Sequence, residues 1–282
     1  MPASDWLTVS RGDAPLVVSV PHAGTLIPGS LESRLASTWL ARKDADWWLD
    51  RLYRFAEELG ATVIRTGMSR TVVDVNRDPA GASLYPGRAT TALCPVDTFD
   101  GEPLYVPGGE PVASEIADRR RRYFDPFHRA LADEVARLKR RHGCVVLYDC
   151  HSIRSVIPRL FDGELPQCNI GTDDGRSCDA RLTSLVEAHC DKAGLSRATN
   201  GRFKGGYITR HYGRPADSVH ALQMELACRG YMREPDGPPT PANWPAPYVD
   251  ALAAPLRATL RTMLDDVVRW SGQALAARKE PR

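Results

Sequence analysis

The sequence predicts an α/β fold, one domain over residues 1–282 with a central mixed, mostly parallel sheet flanked by helices. Three observations predict it. Apolar runs of strand length alternate with stretches of helical period, the pattern of a sheet covered on both faces. Two of those runs deliver histidines at their carboxyl ends, where open α/β sheets collect ligands. The chain, 282 residues and 43% hydrophobic, is long enough for one large unit with a sizeable core.

Taken in order, LVVSV at 16–20 is short enough for a buried strand and hands the chain through Pro21 to His22. From Asp44, the residues Leu49, Leu52, Tyr53, Ala56 and Leu59 recur at helical spacing and close on Gly60, a helix stop. ATVIR at 61–65 and TVVDV at 71–75 read as two further strands. Residues 79–111 hold six prolines and five glycines, which favours an irregular loop able to cover a pocket. From 112 to 142, Ile116, Tyr123, Phe127, Leu131, Val135 and Leu138 form a helical stripe with a break expected at Pro126, and Arg119 to Arg122 read as its solvated face. CVVLY at 144–148 is the clearest buried strand and leads into Asp149 and His151. ALQMEL at 221–226 sets Leu222, Met224 and Leu226 against Gln223 and Glu225, a strand pattern. The tail from about Tyr248 to Leu275 is helical in period.

The charge balance excludes several partner classes. With 37 basic and 35 acidic side chains, a net charge of +2 predicts neither nucleic-acid nor anionic-membrane binding. No apolar run is long enough for a membrane helix. The N-terminal residues lack a signal-peptide pattern, and seven scattered cysteines form neither a disulfide framework nor a CxxC pair, so a cytoplasmic location is expected. No protein partner is implied.

Neutral imidazole is a good zinc ligand, and catalytic zinc commonly takes two histidines and one carboxylate. His22 in VPHAG and His151 in YDCHS are the candidate histidines. Asp44 and Asp46 in KDADWWLDRLY are the candidate carboxylates, with Asp46 favoured. Asp149 can orient a ligand histidine through its other ring nitrogen. Glu225 lies in an otherwise apolar strand, where burial of a carboxylate demands an ion partner or a role as general base. Arg70, Asn76 and Arg77 in SRTVVDVNRDP suit an acidic substrate, because guanidinium groups bind carboxylates in a bidentate manner. Arg154 and Arg210 are weaker candidates, since arginines are common on surfaces.

SVPHAG, DADWWLDRLY, SRTVVDVNRDP, DCHS, NGRFKGGYITRHYG and ALQMELACRGYM, in that order from about residue 15 to 235, resemble the N-formylglutamate amidohydrolase family. The resemblance implies a zinc-exopeptidase-like fold, shared with zinc carboxypeptidases and aspartoacylases. It puts His22 and His151 in the positions of the two metal histidines and Glu225 in that of the water-activating carboxylate. Asn76 and Arg77 resemble the pair that holds the substrate carboxylate, with Arg154 or Arg210 adding to it, and Arg70 resembles the arginine that polarises the scissile carbonyl. The exopeptidases carry a glutamate three residues after the first metal histidine; here that residue is Thr25, so Asp46 is the expected third ligand and Asp44 the fallback.

The expected reaction is hydrolysis of N-formyl-L-glutamate to formate and glutamate with one zinc, or another divalent metal ion, per chain, the last step of a histidine-degradation route. The alternatives are deacylation of another acidic N-acyl amino acid, a zinc carboxypeptidase, and a non-catalytic module that binds an acidic metabolite.

Overall fold

The computed structural model describes residues 6–82 and 91–279, with side chains as far as residue 272. Residues 83–90 of the proline- and glycine-rich stretch, the first five residues of the N-terminal segment and residues 280–282 lie outside the described residues.

Among the described residues, seven strands form one sheet: β1 (Leu7–Ser10), β2 (Leu16–Val20), β3 (Thr62–Thr66), β4 (Val145–Ile153), β5 (Cys168–Gly171), β6 (Arg197–Thr199) and β7 (Val219–Ala227), in the order β1-β3-β2-β4-β7-β5-β6. β1 runs antiparallel to β3 and β5 antiparallel to β7, and every other neighbouring pair is parallel. β2, β4 and β7 are buried along their whole length, as expected of central strands covered on both faces.

Five longer helices accompany the sheet: α1 (Ala113–Arg119), α2 (Asp125–His142), α3 (Ala180–Lys192), α4 (Tyr207–Tyr212) and α5 (Asp250–Lys279). Successive strand residues point to opposite faces. Val18, Val20, Tyr148, Cys150, Leu222 and Met224 therefore pack on one side with Leu182 and Val186 of α3 and Leu256, Leu260 and Val267 of α5. On the other side Val17, Val145, Leu147, Val219 and Ala221 meet Phe127, Leu131 and Leu138 of α2 and Ile208 of α4.

The structure corrects four expectations. TVVDV is not a strand: residues 71–75 form turns in which the Val72 and Val73 amides donate to Ser69 O and the Asp74 amide to Leu93 O. The 44–60 stretch is not one helix. A turn at Leu49–Leu52 and a 3₁₀ segment at Arg54–Leu59 replace it, because Trp48 takes a left-handed φ of 65°. Gly60, at φ 72°, does end the segment. Arg119 does not belong to a solvated face; it is buried and donates to Glu115, Tyr105 and Val72 O. β4 extends through His151, so Asp149 and His151 sit inside the strand. The break near Pro126 takes the form of a π-helical turn over Arg120–Phe124, which accommodates the missing N–H.

His128 of α2 ties these layers together. Its Nε2–H donates to Val75 O at 2.8 Å, and its Nδ1 lies 3.0 Å from the Tyr212 hydroxyl. Burial pushes its pKa down to about 4, so the folded protein holds it neutral. The unfolded chain binds this proton more readily, so the contribution is fully present above about pH 6.5 and is lost as the pH falls towards 4. In urea unfolding, the stability difference between wild type and His128→Gln should shrink by about 3 kcal/mol from pH 7 to pH 4. A pH-independent difference would show that His128 is not held neutral.

Candidate active site

The parallel register of β4 and β7 builds the floor of the site. Asp149 is opposite Gln223 and His151 opposite Glu225. All four share the face that packs on α2 and α4 lower in the sheet, so they continue it as a polar patch at the carboxyl ends of the strands. The cleft above them, about 640 Å³ out to its open mouth, is lined by His22, His151, Glu225, Arg70 and their neighbours.

Each histidine is oriented from behind by a carboxylate. His22 Nε2 lies 2.7 Å from Asp74 Oδ1, and His151 Nε2 lies 2.9 Å from Asp149 Oδ2. Both Nδ1 atoms therefore turn towards Asp46 Oδ2, at 3.8 Å for His22 and 3.2 Å for His151. Asp46 is fixed there because its amide donates to His22 O and its Oδ2 accepts from the Ser152 amide. Burial, then Arg70, push the His22 imidazole below its usual range, which keeps a lone pair on Nδ1. Burial alone would lower His151 too, but Asp149 and then Asp46 outweigh it and hold it well above the usual range.

This set fits a cation. One donor atom from each of His22, Asp46 and His151 lies within 4.8 Å of the others. His22 Nδ1 and Asp46 Oδ1 are buried without a hydrogen-bond partner. Buried Asp46, Asp74, Asp149 and Glu225 outnumber the cleft's inner arginines, Arg70 and Arg77: with every carboxylate ionised and both histidines neutral, as ligation requires, these six groups carry −2, which one divalent ion would balance. Two imidazoles and a carboxylate are a common donor set for catalytic zinc.

Glu225 stands beside this cluster. Burial pushes its carboxyl up to about 7; His151 and Arg70 oppose the rise, and Asp46 and Asp149 add to it. Gln223 orients it: the Gly206 amide donates to Gln223 Oε1 at 2.8 Å, so Gln223 Nε2 is left to donate to Glu225 Oε2 at 3.1 Å. Gly206 allows this approach, since a Cβ there would come within 2.3 Å of Asn76 Nδ2.

Asn76 lines the cleft, but its carboxamide is engaged: Oδ1 accepts from the Ile208 amide at 2.8 Å and Nδ2 donates to Asp149 Oδ2 at 3.3 Å. It therefore braces the carboxylate behind His151. Asp74 is shared by Arg70, at 2.7 Å, and Arg77, at 3.7 Å. Burial would raise the Asp74 pKa, but Arg77, His22 and Arg70 outweigh it and hold it well below the usual carboxylate range. Arg70 also lies over the Phe99 ring.

Three other sequence candidates are not brought to the cleft. Asp44 accepts from the Phe99 amide at 2.6 Å and lies 3.6 Å from Arg154. Arg154 is drawn to Asp100 at 2.6 Å and lines a separate small cavity with Lys43 and Trp244. Arg210 donates to Gly205 O and lies near Asp173. Sequence reasoning missed Arg159 and Arg202, which line the cleft with Leu160 and Phe203. The available signal was position: Arg159 follows β4 by a few residues, on the loop where an α/β sheet places its ligand contacts.

Paired histidines with a buried acid beside them, set at the strand ends of an α/β sheet, make up a candidate hydrolytic metal site. The comparisons narrow this reading. The family model described as N-formylglutamate amidohydrolase matches residues 14–232. An N-formylglutamate deformylase of Pseudomonas aeruginosa is 45% identical over 96% of this chain and 98% of its own, and one of Pseudomonas putida is 41% identical over 95% and 97%. The crystal structure of an N-formylglutamate amidohydrolase from Ralstonia eutropha superposes with a TM-score of 0.79 at 25% identity, covering 95% of this chain and 99% of that one. The chain belongs to the N-formylglutamate amidohydrolase family.

Proposed function

We propose that the protein hydrolyses N-formyl-L-glutamate to formate and L-glutamate, with one zinc ion per chain held by His22, Asp46 and His151. The observation that carries this is the convergence of those three side chains on one point beside Glu225, in a cleft rich in arginine. The names of the Pseudomonas relatives support the substrate.

A bound zinc ion acidifies water and polarises a carbonyl. The chain's own residues do the rest. Glu225, its pKa near neutrality, accepts a proton from the attacking water as the new C–O bond forms at the formyl carbon. Arg70, kept charged by Asp74 and Asp46 despite its burial, faces the negative charge that develops on the formyl oxygen. Glu225 then returns the proton to the departing nitrogen as the C–N bond breaks, so glutamate leaves with its amine and formate with the water oxygen. Arg77 supplies a cation for a substrate carboxylate, while Asn76 keeps Asp149 and His151 in place.

All seven cysteines are free and buried, which fits a reducing cytoplasm. No helix among the described residues is long and apolar enough to cross a membrane. A place at the end of a histidine-degradation route is part of the same proposal.

The test is formate release from N-formylglutamate by purified protein, with elemental analysis of the same sample. Release that a chelator abolishes and zinc restores is expected. Release that survives complete removal of metal would overturn the metal assignment, and acetate release from N-acetylglutamate with no formate from N-formylglutamate would move the substrate to another acyl group.

A further inference from the structure

We infer that Arg159 and Arg202 form a second anion subsite in the cleft that selects an acidic side chain on the substrate, an inference that deepens the proposed deformylase reading and rests on it. An N-formylglutamate carries two carboxylates. The inner arginines, Arg70 and Arg77, both contact Asp74, and Arg70 Nη1 also lies 3.8 Å from Asp46 Oδ1, so buried acids already engage this pair and it can serve one substrate carboxylate at most. A second, taken into the same partly desolvated cleft, needs a cation of its own.

The opposite wall provides two more guanidinium groups, of which that of Arg159 is paired with Asp97. Arg159, on the segment that follows β4, and Arg202, on the segment before α4, both line the cleft. They are joined: Arg202 Nε donates to the carbonyl of Leu160, the residue next to Arg159, at 2.7 Å. Arg202 also lies over the Phe203 ring. The Arg159 guanidinium is braced by Thr98 O at 2.9 Å and by Asp97. These contacts use two of its five N–H donors and limit the rotamer entropy lost on gripping an anion. The side chain of Arg159 is 39% exposed against 8% for Arg70, which sets the second pair nearer the mouth and the first nearer the histidines. Between them, Leu160, Phe203 and Phe99 offer apolar surface to the two methylenes of a glutamate side chain.

The decisive experiment compares kcat/KM for N-formyl-L-glutamate and N-formyl-L-glutamine, near-isosteric substrates that differ by the side-chain charge, in wild type, Arg159→Met and Arg202→Met. Wild-type formate release tests the deformylase reading; the ratio between the two substrates tests the subsite. Each methionine variant should shrink the wild-type preference for the acidic substrate at least tenfold, mainly through KM. The rate on the glutamine analogue should stay within about threefold, which also reports an intact fold. Arg159→Lys and Arg202→Lys should keep part of the preference, and they carry the test if a methionine variant does not fold. A wild type with no preference for the acidic substrate would overturn the inference. So would folded variants whose two rates fall in parallel or do not change.

Discussion

Replacing Glu225 by glutamine should lower kcat for formate release by about 10²- to 10⁴-fold while leaving the bound metal in place. The argument is local. Gln223 has its amide orientation fixed by the Gly206 N–H, so its Nε2 donates to Glu225 Oε2. A glutamine at 225 can turn its own carbonyl oxygen to that donor and keep the bond and the packing. It cannot accept a proton from water. None of the three cation-facing atoms of His22, Asp46 and His151 belongs to residue 225, so metal content should be unchanged.

Stability should hold or rise in the same variant. A carboxyl whose folded pKa is raised is penalised as an ion in the fold, and the penalty is present above the folded value and absent below the unfolded one. With Glu225 pushed up to about 7 by burial, a neutral amide relieves that penalty at pH 8 in protein stripped of metal by a chelator, where no dication offsets it. A melting temperature that is unchanged or higher, beside a collapsed kcat, is the expected pair of results. Near-normal turnover would remove Glu225 from the role of base.

The elements that were legible in the sequence are those whose burial is uniform. β2 and β4 are covered on both faces, so their apolar runs needed no context, β7 showed Leu222, Met224 and Leu226 alternating with Gln223 and Glu225, and the long α5 repeats its stripe for several turns. The register that sets His151 beside Glu225 was not legible, although both residues were, because pairing of strands distant in sequence leaves no local mark. β5 and β6, of four and three residues, are too short to show a period. TVVDV reads as a strand by composition, yet Asp74 is drawn to His22, Arg70 and the Asn76 amide, and these bonds favour a turn over a ladder. The site divides the same way. Residues embedded in strands announced themselves as polar intrusions, whereas Arg159 and Arg202 lie on irregular segments where an arginine is unremarkable.

Asp46→Ala should weaken zinc binding by more than about 100-fold and abolish activity with it, whereas Asp44→Ala should keep both. The two aspartates are two residues apart, and sequence alone left them as rivals. In the structure, Asp46 Oδ2 faces both histidine Nδ1 atoms, whereas Asp44, although its Oδ1 is as buried and unbonded as that of Asp46, turns its Oδ2 to the Phe99 amide and lies beside Arg154, away from both histidines. Loss of a group that merely orients a metal ligand already costs about 10- to 100-fold in affinity, so loss of a ligand sets that as a lower bound. Asp44→Ala leaves the Phe99 amide without its acceptor while Arg154 keeps Asp100, which should cost about 1–3 kcal/mol of stability and no metal. Zinc titration of the two variants by calorimetry separates the cases. If Asp44→Ala lost the metal while Asp46→Ala kept it, the coordination sphere drawn here would have to be rebuilt around Asp44.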